Sequence, residues 1–441
     1  MEQSYGFFTE PTCSSRCCLG MTSLRIAVVG GGAAGFFGAI AAAESDPTAT
    51  VTIYEKGRQV LQKVRISGGG RCNVTHACFD HKKLAAHYPR GNAWIRPLLT
   101  RFDAVDTVDW FEGRGVPLKT EADGRMFPTT NSSETIIDCL LGAARRLGIQ
   151  VRMSSGIERL EPQTDGTYLI HLFGGEQVMA DRVLVATGGY PQAPSYGWMP
   201  EQAEPLMLPV PSLFTFNTPG NPLLALAGVS VPMVAVQVVG TKLTQKGPVL
   251  ITHWGFSGPA VLRLSAWAAR ELADRDYQFS LRINWVPERN EDQMKFEFNE
   301  LRQLNPRKQV TTQNPFGLPT RLWESLCADA GVADGVRWAD FPGKIQNRLI
   351  ERLGNSQFAV QGKSTFKDEF VTCGGISLGG IDPETLESLA HPGLFFAGEV
   401  LDVDGITGGF NFQNAWTTGF VAGQSMVLPH PQPRIAGPLS C

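Results

Sequence analysis

The chain has 441 residues, 43% of them hydrophobic and 18% charged, enough to bury a large core and to divide into two or three domains without help from disulfides. A formal net charge of −3, with Lys and Arg scattered and forming no basic stripe, leaves no footprint for a nucleic-acid partner, and no apolar run approaches the roughly 20 residues that span a bilayer. Nine cysteines, an odd number without regular spacing, read as reduced thiols of a cytoplasmic protein.

Residues 1–20 carry neither the long apolar core nor the basic start of a secretory signal. Their cluster of Cys13, Cys17 and Cys18 lacks a matching ligand pair for a metal, so no metal site is expected. They are read as a disordered extension, with Met21 a candidate true start.

The fold opens at Arg25–Gly30, a short apolar, β-branched run that predicts a buried parallel strand. Gly30, Gly32 and Gly35 follow at dinucleotide-binding spacing, and Phe36–Glu44 supplies the helix that such a turn needs. The first glycine allows the tight turn, the second lets a pyrophosphate approach the backbone, and the third lets helix and strand pack closely. A second strand, Thr50–Tyr54, ends at Glu55, 20 residues beyond Gly35 and therefore suited to a ribose 2′-hydroxyl and unsuited to a 2′-phosphate.

Ser67-Gly68-Gly69-Gly70-Arg71-Cys72-Asn73 predicts a flexible loop whose backbone N–H groups meet an anion or a flavin edge. Asp181–Gly189 is an apolar strand ending in Thr187-Gly188-Gly189, and Gly393–Glu399 is another that meets Gly398 and Glu399. Asp402, Asp404, Gly405 and Gly408-Gly409-Phe410-Asn411 come next, and Asn414–Gly423 reads as a small-residue helix. Between these flanks lie a Pro-rich stretch from Pro191 to Pro222, linker-like at its start, and short alternating segments such as Met233–Val239 and Gln278–Val286. A helical piece from Glu288 to Leu353 has Leu301, Leu304, Leu322 and Leu326 at helical spacings.

This arrangement resembles the flavoproteins with two dinucleotide-binding domains. More narrowly, Ile66–Thr75, Thr252–Ala260 and Gly398–Gly405 look like the bacterial predicted-flavoprotein family of aminoacetone oxidase-like proteins, which includes a bile-acid (3-dehydro steroid) reductase; the likeness runs from about Leu24 to Val427. It implies an α/β fold, a Rossmann-like FAD-binding domain assembled from both chain ends and interrupted by an inserted β-rich domain and a small helical subdomain. The expected bounds are 21–190 and 356–428 for the FAD domain, 191–287 for a β-barrel-like insertion, 288–355 for the helical subdomain and 429–441 for a tail. Phe370–Gly375 keeps the family's Val-Thr-x-Gly-Gly turn.

The implied activity is that of an FAD-dependent oxidoreductase acting on a small organic molecule. The expected cofactor site comprises Gly30, Gly32, Ala33, Ala34, Gly35, Glu55, Lys56, Gly69, Gly70, Arg71, Cys72, Asn73, Thr187, Gly188, Gly398, Glu399, Asp402, Gly409, Phe410 and Asn411. Because flavin carries the electron chemistry, the protein need add only binding, orientation and a proton donor. His253 is the first candidate for that acid and His76 the second, since imidazole titrates near neutrality, while Arg71 is a candidate to stabilise charge on a reduced flavin. Each histidine has a structural alternative: a backbone-bonded imidazole for His253, a solvated one for His76. Cys72 and Cys78, with five residues between them, do not match the spacing of a redox disulfide.

No second glycine fingerprint appears in the insertion, so NAD(P)H is expected at most as a transient co-substrate, with oxygen the alternative electron acceptor. A rival reading is a non-catalytic or RNA-modifying accessory flavoprotein. Nothing in the sequence specifies an oligomeric state.

Overall fold

The structure, a computed structural model, describes residues 23–200, 205–364 and 371–429. The expectations for the extension, for Cys13, Cys17, Cys18, Met21 and Phe370, and for nearly all of the tail fall outside these residues.

From the N-terminal side come β1 (Arg25–Val29), α1 (Ala33–Ser45), β2 (Thr50–Tyr54), α2 (Gln62–Gly70), α3 (Ser133–Arg146), β3 (Gln150–Arg152) and β4 (Arg182–Val185). The insertion supplies β5 (Leu206–Ser212), β6 (Thr215–Asn217), β7 (Ser230–Val238), β8 (Thr244–Ile251), β9 (Gly255–Ser257), α4 (Pro259–Trp267) and β10 (Gln278–Asn284). It continues with α5 (Glu291–Leu304), α6 (Thr320–Ala330), α7 (Gly343–Gly354), β11 (Ser356–Gln361) and β12 (Lys363–Ser364). The chain then returns through β13 (Val371–Ile376), β14 (Leu394–Phe396) and α8 (Phe410–Met426).

The first sheet is parallel, in the order β14-β4-β1-β2-β3. Its central strand β1 is buried along Ile26–Val29, as a strand covered on both faces must be. The fifth strand comes from residue 394 onward, so the sheet is assembled from both chain ends. Helix α1 is buried all along Ala34–Ala43 because α8 lies against it. Small residues set that distance: a Cβ at Gly419 would stand 2.6 Å from the Ala34 carbonyl oxygen and one at Gly423 2.4 Å from that of Gly38. Phe37 anchors the contact, its ring centroid 4.7 Å from that of Trp416 and 4.6 Å from that of Trp110. Two small antiparallel sheets flank this domain, one from Thr75–His76, Leu118–Thr120 and Arg125–Pro128, the other from Ile157–Pro162, Tyr168–Leu172 and Gln177–Ala180.

The second large sheet is antiparallel, in the order β11-β10-β7-β8-β9-β6-β12. Its two edge strands are consecutive in the chain, joined by Gly362 alone at φ +90°, so the sheet must roll until its edges meet. The expected boundary at residue 356 therefore falls too early, since β11 and β12 pair inside this sheet. The later part of the Pro-rich stretch forms strands, β5 pairing with β13 and β6 with β9 and β12. Helices α5 to α7 share one core with the rolled sheet, where Phe256, Leu281, Phe298, Leu322 and Leu349 are all fully buried. Leu326 joins that core, whereas Leu304, the last residue of α5, is 74% exposed.

The two halves are joined by the β5–β13 pair and by a buried ion pair. Asp404 has no exposed surface, and Arg90 Nε donates to its Oδ1 at 2.5 Å. Ser212 of β5 donates to Oδ2 at 2.8 Å, and Arg90 also reaches the Ala266 carbonyl of α4. Burial pushes the Asp404 carboxyl upward and the neighbouring guanidinium opposes this.

Candidate functional site

A cavity of about 610 Å³, within the size range of small-molecule and cofactor sites, lies at the carboxyl ends of β1, β2, β4 and β14. This is where an open α/β sheet binds its ligand. The three glycines of the turn differ in their surroundings. Gly30 has φ +109°, and a Cβ there would stand 2.5 Å from the Ala186 carbonyl oxygen. A Cβ on Gly32 would meet nothing within 4 Å, and this residue lines the cavity with Ala33 and Ala34. Gly35 is a packing residue outside the cavity wall, its would-be Cβ 2.0 Å from the Gly30 carbonyl oxygen.

Glu55 closes the turn onto β2: Oε2 accepts from the Gly31 N–H at 2.8 Å and Oε1 from that of Gly57 at 2.7 Å. Each carboxylate oxygen keeps a further lone pair for a ribose hydroxyl. Lys56, Thr187, Gly188 and Gly398 line the cavity. So does Glu399, which accepts from Lys63 Nζ at 2.7 Å and from the Thr372 N–H at 2.9 Å.

The glycine-rich segment differs from its reading as a plain loop. It is the unwound end of α2, with Ser67 extended and Gly68 and Gly69 left-handed at φ +58° and +68°. Gly68 and Asn73 reach the cavity, whereas Gly69, Gly70, Arg71 and Cys72 do not line it. Arg71 turns away, donating to Glu121 at 2.6 Å with its guanidinium 4.0 Å from the centre of the Phe127 ring. The arginine in the cavity wall is instead Arg125, held by Asp123 at 2.8 Å and Glu121 at 3.0 Å. Cys72 is fully buried and its thiol is pushed up to about 12 by burial, which suits a packing residue. Cys78, too, is free, and burial raises its thiol.

His253 sits exposed in the turn between β8 and β9, beside Trp254 at 64% exposure, and is not in the cavity wall. The segment Thr252–Ala260 reaches the cavity through Ser257. His76 is half-buried and stacks on Phe410, whose ring also stacks on His87 at 4.2 Å. Burial lowers both imidazoles from the ordinary histidine range. Phe410 and Asp402 stand outside the wall, Asp402 3.5 Å from Arg270. Gly409 and Asn411 line it, the Asn411 amide being tied to the backbone of Gly405 at 2.7 and 2.9 Å. Lys63, Arg125, Leu213, Thr215, Ser257 and Ser364 are cavity residues that no spacing in the sequence marks.

Two helices present their amino ends to this cavity, α1 behind Gly32 and α8 behind Gly409, and α4 adds Leu262 of its first turn to the wall. Neither α1 nor α8 has a side-chain cap or an acidic residue in its first turn. Their unpaired N–H groups and partial positive charge are thus left for a ligand. The open face at Gly32, the acid closing β2 and these helix ends fit an adenine dinucleotide.

The family model of the HI0933-like protein Rossmann domain matches residues 24–425. The chain is 28% identical over 411 residues to a 3-dehydro-bile acid delta(4,6)-reductase of Clostridium scindens, covering 91% of this chain and 98% of that protein. It is 29% identical over 413 residues to a ribosomal RNA dihydrouridine synthase of Haemophilus influenzae, covering 90% and 97%. Among solved structures, a 3-ketosteroid-delta4-(5alpha)-dehydrogenase of Rhodococcus jostii aligns with a TM-score of 0.47 at 15% identity, over 93% of this chain and 98% of that one.

Proposed function

The chain belongs to the HI0933-like Rossmann family, and from that premise we propose that it is an FAD-dependent oxidoreductase that saturates a carbon–carbon double bond conjugated with a carbonyl group. The substrate is a small organic molecule and NAD(P)H a transient electron donor. The observation that carries the reading is a cavity on which both chain ends and the uncapped amino ends of α1 and α8 converge. The names of the two curated relatives support the reaction class. A delta(4,6)-reductase acts on ring double bonds, and dihydrouridine is uridine with two added hydrogens.

FAD, when bound, supplies the hydride. The Gly30–Ala34 turn and the amino end of α1 would hold its pyrophosphate, Glu55 its ribose, and Gly398 and Glu399 its ribityl segment. The amino end of α8 and Arg125 favour negative charge, so both support the reduced, anionic state. Neither His253 nor Arg71 lines the cavity, and the proton donor is assigned to neither. The free cysteines Cys72, Cys78, Cys139, Cys327 and Cys373 support a reducing, cytoplasmic setting.

The test is an absorbance spectrum of the purified protein, then anaerobic mixing with NADH or NADPH, then with 2-cyclohexen-1-one, a 4-en-3-one steroid and ribosomal RNA. A yellow protein that bleaches with the nicotinamide and is reoxidised by an enone, yielding one equivalent of saturated ketone, is expected. Colourless protein that takes up no FAD, or reduced protein that no enone reoxidises, overturns the reading. Reoxidation by ribosomal RNA alone transfers the chemistry to a uracil base.

A further inference from the structure

The insertion contributes its own wall to the cavity, and that wall carries hydroxyls. Thr215 comes from β6, Ser257 from β9 and Ser364 from β12, three neighbouring strands of the rolled sheet. Two of these hydroxyl protons are already committed. Thr215 Oγ1, 3% exposed, donates to Ser257 Oγ at 3.0 Å, and Ser364 Oγ donates to Asn217 Oδ1 at 2.9 Å. Ser257 thus receives a hydrogen bond, and among the described residues none accepts its own proton. A hydroxyl that accepts one hydrogen bond is polarised into a stronger donor for the next.

The surroundings of Ser257 favour an oxygen that becomes negative. It directly precedes Gly258, the uncapped amino end of the nine-residue helix α4. Leu262, in the first turn of that helix, and Leu213 add apolar surface to the same wall, lowering the local polarity. Leu213 holds a left-handed backbone at φ +54°, a conformation that is strained for an L-residue and is retained where the surrounding structure fixes it.

We infer that the Thr215–Ser257 hydroxyl pair is the anchor for the substrate's carbonyl oxygen, with Ser257 donating to that oxygen and Thr215 orienting Ser257. The assignment rests on the reduction of a conjugated carbonyl given above. In that reaction a hydride from the two-electron-reduced flavin forms a C–H bond at the carbon β to the carbonyl. The double-bond pair shifts toward the carbonyl, and the charge arrives on oxygen. A proton taken up from water at the α carbon restores the carbonyl and leaves the saturated ketone, while NAD(P)H recharges the flavin with a further hydride. Ser257 meets the oxygen at the moment its charge is greatest, which is where a placed donor lowers the barrier most.

The experiment compares FAD-loaded wild type with Ser257→Ala, Ser257→Thr and Thr215→Val. Two readouts are taken: steady-state reduction of 2-cyclohexen-1-one, and titration of the oxidised holoprotein with 4-hydroxybenzaldehyde, a phenolate that mimics an enolate oxygen, followed through the flavin spectrum. Ser257→Ala is expected to keep its FAD and to lose on the order of 10²-fold in kcat, with KM within a few-fold. It also binds the phenolate at least about tenfold more weakly. Ser257→Thr restores most of both, and Thr215→Val shows a smaller loss of the same kind.

Ser257→Ala with full FAD and both readouts within about threefold of wild type overturns the anchor. If wild type reduces no enone yet binds the phenolate in a Ser257-dependent way, the reaction class falls and the oxygen anchor stands. If wild type shows neither, both fall.

Discussion

Gly32 and Gly35 stand three residues apart in one turn, and the same substitution should do opposite things to them. In Gly35→Ala the new methyl would stand 2.0 Å from the Gly30 carbonyl oxygen and 3.3 Å from Val28 Cγ1, both on the β1 side of α1. Backbone oxygens yield little, so α1 must move off β1 by on the order of 1 Å, an overpacking cost of about 1–3 kcal/mol. At Gly32 the methyl meets no protein atom within 4 Å, and φ −92°, ψ −170° is open to alanine, so the fold is undisturbed. The methyl projects instead into the space assigned to the pyrophosphate, and FAD affinity should fall by on the order of 10–100-fold, about 1.4–2.7 kcal/mol.

The assay pairs a thermal melt of the FAD-free protein with equilibrium dialysis of FAD. Gly35→Ala should melt several degrees lower, at roughly 2–4 °C per kcal/mol at most for a chain of this size. Gly32→Ala should melt with wild type and lose its flavin. An unchanged melt in Gly35→Ala, or undiminished FAD affinity in Gly32→Ala, refutes this division of labour.

Glu55→Ala should lower both FAD retention and the melting temperature, because the carboxylate binds two backbone N–H groups in addition to any ribose; about 1.5–3 kcal/mol is expected, and unchanged retention measured by dialysis contradicts it. Arg90→Met leaves the Asp404 carboxylate buried without its partner and should cost about 3–5 kcal/mol in urea unfolding. Adding Asp404→Asn to that variant should recover much of the loss, and an additive double variant argues against the pair. Burial holds His76 and His87 below the usual histidine range on either side of Phe410. As pH falls below about 6.5 the unfolded chain takes up protons before the folded one, so this contribution is complete above that pH and is lost toward pH 5. His87→Gln should flatten the fall in melting temperature between pH 7.5 and 5, and an unchanged slope contradicts the assignment.

The parallel sheet was legible because its signals are local: an apolar β-branched run ending in glycine at Arg25–Gly30, and an acid closing Thr50–Tyr54. What escaped is the geometry that brings distant segments together. Arg71 drew attention as the cation beside the glycine run, yet the left-handed turn at Gly68 and Gly69 swings it onto Phe127, while Arg125 takes the cavity. In Thr252–Ala260 the imidazole of His253 looked like the chemical group. Pairing of β9 with β6 and β8 leaves His253 in the exposed turn, buries Phe256 and turns Ser257 to the cavity. The outer limit of the insertion was misread for a related reason. The pairing of Ser356–Gln361 with Gln278–Asn284 is decided by a sheet that rolls, and a strand's own residues do not reveal its partner.

The contact between α1 and α8 joins two stretches more than 360 residues apart. A ribosome therefore delivers α1, apolar on nearly every side, long before the helix that covers it has been made. Throughout the synthesis of the insertion, which can close its own sheet, the N-terminal half waits with a glycine-notched apolar face uncovered, as a natural client for a chaperone. Cofactor loading is thereby tied to the last few tens of residues, and truncation before Phe410 leaves α1 without its cover and the cavity without one wall.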